Sequence, residues 1–154
     1  MEEVTINWGD NVIEFQDIFS SDNFHLDSEG FYVLFTSPKE LRGPIRAPSK
    51  ILYIGYSLGL TLRERIPLEG NLYPCVNEYI SRHRDDAIIL AAGIVTINVA
   101  DGGPQTLFRD IQYCLSSANH PICNNLSAQP YSGRPLTVHN TGGSCPLSRT
   151  SHCE

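Results

Sequence analysis

Two short stretches, "EGFYVLF" at residues 29–35 and "KILYIGYS" at residues 50–57, decide how this chain is read. Both are rich in aromatic and β-branched residues, the composition of a strand. Each also sets a tyrosine close to a glycine, Gly30 with Tyr32 in the first and Tyr53 with Gly55 in the second. The two rings either pack in a core or turn their hydroxyls toward a shared site. Between the strands, "SPKELRGPIRAPSK" (residues 37–50) contains three prolines and a glycine, so it forms a long basic connection rather than a tight turn. An antiparallel pairing of the two strands is the natural expectation.

Working outward, "VTINW" at residues 4–8 reads as a strand, followed by a loop rich in Asp, Ser and Asn that ends at "DSEG". After the second tyrosine strand, Thr61 with Glu64 three positions on makes a capping-box pattern, and Leu62 with Ile66 makes an apolar i, i+4 pair. A short helix should start there, and Pro67 disfavours its continuation. "VNEYISRHRDD" (residues 76–86) reads weakly as helix. "AIILAAGIVTINV" (residues 87–99) is an apolar run suited to a central strand covered on both faces. The turn "DGGP" leads into a helix with Pro104 at its first position and Leu107, Phe108, Ile111, Leu115 and Ala118 on one face. "NHPICNN" ends that helix, and "RPLTVHN" reads as a last short strand or extended arm.

The chain has 154 residues, enough for one domain with a real core. No internal repeat or second domain is visible, so residues 1–154 are read as a single unit. Its core spans about 28–126, with an acidic amino-terminal extension (1–27) and a carboxy-terminal arm with a flexible tail (127–154). The start "MEEVTINWGD" lacks a basic segment followed by an apolar run, and no window approaches the roughly 18 apolar residues of a membrane span. A cytoplasmic, intracellular protein with no membrane partner is expected. The five cysteines are odd in number and form no CxxC pair, which favours free thiols over a disulfide framework. Cys145, His152 and Cys153 fit no zinc spacing, and the tail is expected to be disordered.

Net charge is −6, unevenly spread: residues 1–38 hold eight acids and no base, whereas residues 39–84 hold eight bases against four acids. A local basic region can bind phosphate even on an acidic protein. Arg42, Arg46 and Lys50 in the long connection, with Arg82, His83 and Arg84, are therefore candidates for contact with a nucleic-acid groove or backbone. The acidic amino-terminal segment would suit a basic protein partner.

Taken in order, Gly30-Phe31-Tyr32, Tyr53-Ile54-Gly55, an arginine-bearing short helix, an apolar third strand, the helix "RDIQYCL" and the ending "HPICN" resemble the GIY-YIG nuclease domain. The likeness covers roughly residues 30–125. It implies an α+β fold, a small, mostly antiparallel three-stranded sheet flanked by helices, and metal-dependent hydrolysis of a DNA phosphodiester. It implies Tyr32 and Tyr53 side by side facing the phosphate, one of them acting as general base or positioning water. A phenol, with an ordinary pKa of about 10, needs a nearby cation or metal for that task. Gly30 and Gly55 would let backbone and substrate approach closely. An arginine would contact the scissile phosphate. Arg65, followed by Ile66, matches the family pattern, while Arg63 has the closer spacing from Tyr53 seen in some members, so both stay open. Where the family has a further histidine or tyrosine one turn on, this chain has Glu69, which leaves the role missing or filled by His83.

The resemblance also places a metal-ligating glutamate early in the last helix, twelve residues before the Asn of a Pro-x-x-Asn ending. With Pro121 to Asn124 as that ending, the position falls on Gln112. An amide there can hydrogen-bond but holds a hard divalent cation far less well than a carboxylate. Asp110 lies about 200° away around the helix and cannot take over. Two functions follow. The first is a GIY-YIG endonuclease, of restriction or defence character, with Tyr32, Tyr53, Arg65 and Asn124 around the phosphate and Mg²⁺ or Mn²⁺ bound once a glutamate stands at 112. The second is a non-cleaving module of the same build that binds DNA or protein. A nuclease of this size would dimerise on a symmetric site, recognise structure or accept many sequences.

Overall fold

The structure, a computed structural model, describes residues 2–38, 50–70, 72–97, 103–124 and 130–154. Seven strands are present among them: β1 (Glu2–Asn7), β2 (Ile13–Glu14), β3 (Gly30–Pro38), β4 (Ile51–Ser57), β5 (Asp86–Ile97), β6 (Leu136–Thr141) and β7 (Thr150–Cys153). Three α-helices accompany them: α1 (Leu62–Arg65), continued by a 3-10 turn over Ile66–Leu68, α2 (Leu72–Arg82) and α3 (Pro104–Asn119). The strands form one curled, mixed sheet in the order β4-β3-β5-β1-β6-β7, with β2 also on β5. The expectation of a small three-stranded sheet flanked by helices is therefore corrected. β4, β3 and β5 are adjacent and antiparallel, but β5 continues into β1, and β1 pairs in parallel with β6.

The enlargement has a plain origin. In β1, Val4 and Ile6 alternate with polar residues and, with Trp8 just after, are almost fully buried, so the acidic amino-terminal segment supplies an interior strand. Ile6 and Trp8 lie over Gly93, where a Cβ would come within 2.5 Å of the Ile6 methyl. The tail expected to be disordered supplies β7, which pairs antiparallel with β6.

Alternation along β3 divides the core in two. Phe31, Val33 and Phe35 pack with Leu107, Phe108, Ile111 and Leu115 of α3. Tyr32 and Leu34 pack with Leu62, Ile66, Leu72 and Val76 of the α1 and α2 side. The capping box is formed: Thr61 Oγ1 accepts from Glu64 N–H, and Glu64 accepts from Thr61 N–H.

The reading of the cysteines as free thiols is also corrected. Cys75 on α2 is bonded to Cys123, and Cys114 on α3 to Cys153 on β7, with Cα separations of 5.8 and 5.7 Å that suit a disulfide. Cys145 is the free one. The partners stand 48 and 39 residues apart, a pairing that spacing alone does not disclose. No helix among the described residues is long and apolar enough to cross a membrane.

Candidate functional site

The tyrosine and glycine motifs meet through strand register. Tyr32 on β3 stands opposite Gly55 on β4, and a Cβ on Gly55 would come within 2.4 Å of the Tyr32 ring. Gly55 is therefore the room that the Tyr32 ring occupies. Gly30 answers to backbone rather than substrate: a Cβ there would lie 2.2 Å from the Gly93 carbonyl oxygen on β5. Leu34 pairs with Tyr53 while Phe35 pairs with Ile51, so Leu52 is the extra residue of a β-bulge. Leu52 and Tyr53 consequently both face the α1 and α2 side. Tyr53 is thereby turned onto Tyr32, and the rings stack with centroids 5.8 Å apart.

β4 is the outermost strand, and the residues after α3 cover part of its open edge. Ile122 N–H donates to Ile51 O (3.1 Å) and Cys123 N–H to Leu52 O (2.7 Å), the bulge turning both carbonyls outward. Asn124 closes a two-way bond with Ile54: its Oδ1 accepts from Ile54 N–H (2.8 Å) and its Nδ2 donates to Ile54 O (2.9 Å). Gln112 Nε2 donates to the same carbonyl at 3.0 Å. Asn124 thus fixes the strand, and nothing in its bonding to Ile54 addresses a ligand. An exposed strand edge invites pairing, and this short strip blocks it.

Beyond the strip, where the chain leaves β4, a cleft of about 570 Å³ opens between α1 and the first half of α3. Tyr53, Tyr56, Arg65, Glu69, Arg109 and Gln112 line it, with Leu58, Leu60, Gln105 and Thr106. Of the two arginines left open by the sequence, Arg65 is in the cleft, paired with Glu69 at 3.0 Å. Arg63 points elsewhere, donating to Asp27 at 2.9 Å and to the Ile18 carbonyl. The hydrogen bond from Arg63 is the main reason the Asp27 carboxyl titrates below its usual range; burial opposes it, and the charge of the same guanidinium adds a smaller downward pull.

The phenols are electrostatically the reverse of general bases. Tyr32 is fully buried, and its hydroxyl has no hydrogen-bond partner among the described residues. Burial first, then the Tyr53 phenol and the Glu69 carboxylate, hold its pKa well above the ordinary 10, against a weaker pull from Arg65. Burial and Glu69 push Tyr53 up to about 12, with Tyr32 and Arg65 opposing. At neutral pH both are neutral phenols, able to donate a hydrogen bond.

The sequence reading missed Arg109 and Tyr56. Residues 105, 109 and 112 stand at i, i+4 and i+7, one face of α3, a pattern that could have pointed to Arg109 once Gln112 was singled out. Arg109 is exposed and has no ion pair or hydrogen bond among the described residues. The remaining candidates are elsewhere. Arg82 pairs with Glu78, His83 stacks on Tyr79, and Arg84 is exposed beside them. Their neighbour Asp86 opposes Pro38, at the far end of the strands from Tyr56, which opposes Phe31. Lys50 is exposed at that same far end, where its N–H donates to Thr36 Oγ1. Arg42 and Arg46 lie outside the described residues.

The donors in the cleft do not suit the divalent cation that the resemblance implies. Gln112 brings a neutral amide whose NH₂ is committed to Ile54, and Glu69, the carboxylate lining the cleft, is held by Arg65. A hard cation is bound by several oxygens, preferably charged ones. Among the described residues no group of three or more His, Cys, Asp or Glu is placed to hold a metal. No family model, curated protein or solved structure matches this chain.

Proposed function

We propose that the cleft at the β4 edge binds a nucleic-acid phosphodiester and holds it without cutting it. The observation that carries this reading is the convergence of Arg65, Arg109 and the neutral Tyr53 phenol on one cleft whose would-be metal-ligand position carries the neutral amide of Gln112, its NH₂ donating to the Ile54 carbonyl. A planar guanidinium matches the paired oxygens of a phosphate, and among the described residues Arg109 has no carboxylate partner to leave first. Arg65 exchanges its bond to Glu69 for one to the ligand, or shares it. The net charge of −6 opposes polyanions at long range, so binding is expected to be modest and sharply salt-dependent.

The test is fluorescence anisotropy of a labelled single-stranded or duplex oligonucleotide across a salt series. Two phosphate contacts give a slope of log K against log salt of about −1.8 on duplex or about −1.4 on a single strand. Arg65→Ala or Arg109→Ala should each weaken binding and remove roughly half of that slope. An unchanged affinity in both variants would remove the cleft from consideration. Nicking of supercoiled plasmid by the unaltered chain with Mg²⁺ or Mn²⁺ would replace this reading with the endonuclease.

A further inference from the structure

The two disulfides sit in different surroundings. Cys114 is fully buried and Cys153 is 5% exposed, so that bond is sealed inside the α3 face of the sheet. Cys75 is only half-buried and Cys123 is 9% exposed, so the other bond can be reached from solvent through Cys75. Cys123 is also the middle residue of the strip that covers β4. Ile122 on one side and Asn124 on the other make bonds to Ile51 and Ile54. Ile122 is 51% exposed, whereas Pro121, Cys123 and Asn124 are buried, so packing as well as hydrogen bonding holds the strip on β4. What anchors it covalently is α2, through Cys75.

We infer that Cys75–Cys123 is a thiol-exchangeable tether that controls whether the strip stays on β4, and through it the order of the cleft. A dithiol reductant supplies the chemistry. Its thiolate attacks Cys75 Sγ, the sulfur–sulfur bond breaks, and Cys123 leaves as a thiolate that takes up a proton. The second thiol of the reductant then attacks the mixed disulfide and releases Cys75 as a thiol. Two electrons pass from the dithiol to the protein, and the reductant ends as a disulfide. With the tether open, the strip keeps its hydrogen bonds to β4 and the packing of Pro121, Cys123 and Asn124 but loses its covalent link to α2. Ile54 then loses the constraint that keeps its N–H on Asn124, and the strand carrying Tyr53 and facing Gln112 loosens. Cys114–Cys153 remains closed and keeps α3 on β7. The effect on ligand rests on the proposed phosphodiester binding, whereas the tether itself does not.

The experiment titrates the full chain with dithiothreitol and follows three readouts. Alkylation and peptide mass spectrometry identify which cysteines have opened. Amide hydrogen exchange reports Ile54 against Ile6 and Val138, which lie in β1 and β6. Anisotropy reports binding of the labelled oligonucleotide. Expected are opening of Cys75–Cys123 at reductant levels that leave Cys114–Cys153 closed, at least tenfold faster exchange at Ile54 with Ile6 and Val138 unchanged, and at least fivefold weaker binding, all reversed on reoxidation. Cys75→Ser should show the fast exchange without reductant and no further response. Simultaneous opening of both bonds, or unchanged exchange at Ile54 once Cys75 is free, overturns the inference. An oxidised chain that binds no oligonucleotide overturns the proposed function instead, and Ile54 exchange still decides the tether.

Discussion

Removing the Asn124 side chain tests whether the ending Pro121 to Asn124 acts as a lock on β4. Asn124→Ala deletes two bonds to Ile54, the 2.8 Å bond from its N–H and the 2.9 Å bond to its carbonyl. The carbonyl keeps Gln112 at 3.0 Å, so its loss is an ordinary one of about 0.5–1.5 kcal/mol. The N–H has no other partner among the described residues, and a buried donor without a partner costs about 1–3 kcal/mol. The sum is roughly 3 kcal/mol, and a domain of this size loses about 2–4 °C of Tm per kcal/mol, so thermal unfolding followed by circular dichroism should fall by about 6–12 °C. Asn124→Asp separates the two bonds. Its carboxylate can still accept from Ile54 N–H, but its other oxygen faces the Ile54 carbonyl, which only the protonated acid can satisfy. The folded pKa of the new aspartate is therefore raised above its unfolded value of about 3.9. The stability linked to its proton is complete below that value and is lost as pH rises through the folded pKa. The deficit against the unaltered chain should accordingly be small near pH 4 and full at pH 8. A Tm within 1 °C of the parent for Asn124→Ala, or a pH-independent deficit for Asn124→Asp, would refute the lock.

Three further outcomes follow from the same geometry. Gly55→Ala puts a methyl 2.4 Å from a Tyr32 ring that is fully buried, so overpacking should destabilise the fold by about 1–3 kcal/mol in chemical denaturation; a neutral effect would mean that the ring has room to move. In an alkaline titration followed at 295 nm, Tyr53 should ionise near 12 and Tyr32 well above the ordinary 10, and ionisation of all seven tyrosines in one step near pH 10 would contradict their burial. Because both folded values are raised, the stability these phenols contribute is complete below about pH 10 and is lost as pH rises through the folded values, about 12 for Tyr53. Gln112→Glu exchanges a donor to the Ile54 carbonyl for an acceptor, which should lower stability by about 1 kcal/mol and should not switch on plasmid nicking; Mg²⁺-dependent nicking by this variant would reverse that expectation.

What could be read in the sequence was whatever local pattern dictates. The Thr61 and Glu64 cap, the apolar face of α3 from Leu107 to Leu115 and the tyrosine strands were legible because each is set within a few residues. The rest depends on partners distant in the chain. "VTINW" gives the alternation of a strand but not its neighbours, and its place between β5 and β6 depends on pairing Val4 with both Ile97 and Val138. The disulfides join residues whose spacing carries no signature. Even the juxtaposition of Tyr32 with Gly55 is a matter of register, which the bulge at Leu52 sets and the intervening connection conceals. Choosing Arg65 over Arg63 for the cleft required knowing that Asp27 and Ile18 lie on the other side of α1.

The motif that resembles a nuclease site has, in this chain, a reason to exist that does not involve hydrolysis. A stacked tyrosine pair on adjacent strands needs a glycine opposite the inner ring, and Gly55 supplies it. The outermost strand needs its exposed backbone groups satisfied, and Asn124 with Gln112 satisfies both sides of Ile54. Of the two closely isosteric residues at position 112, the amide alone can donate to a carbonyl at neutral pH, whereas a carboxylate would confront it with a second oxygen. Gln112 is thus matched to the strand it touches, and its neutrality leaves the positive charge of Arg65 and Arg109 only partly offset by Glu69. On the proposed reading, Arg65 and Arg109 beside the un-ionised Tyr53 phenol serve to hold an anion, since among the described residues lining the cleft the one carboxylate, Glu69, is already paired with Arg65.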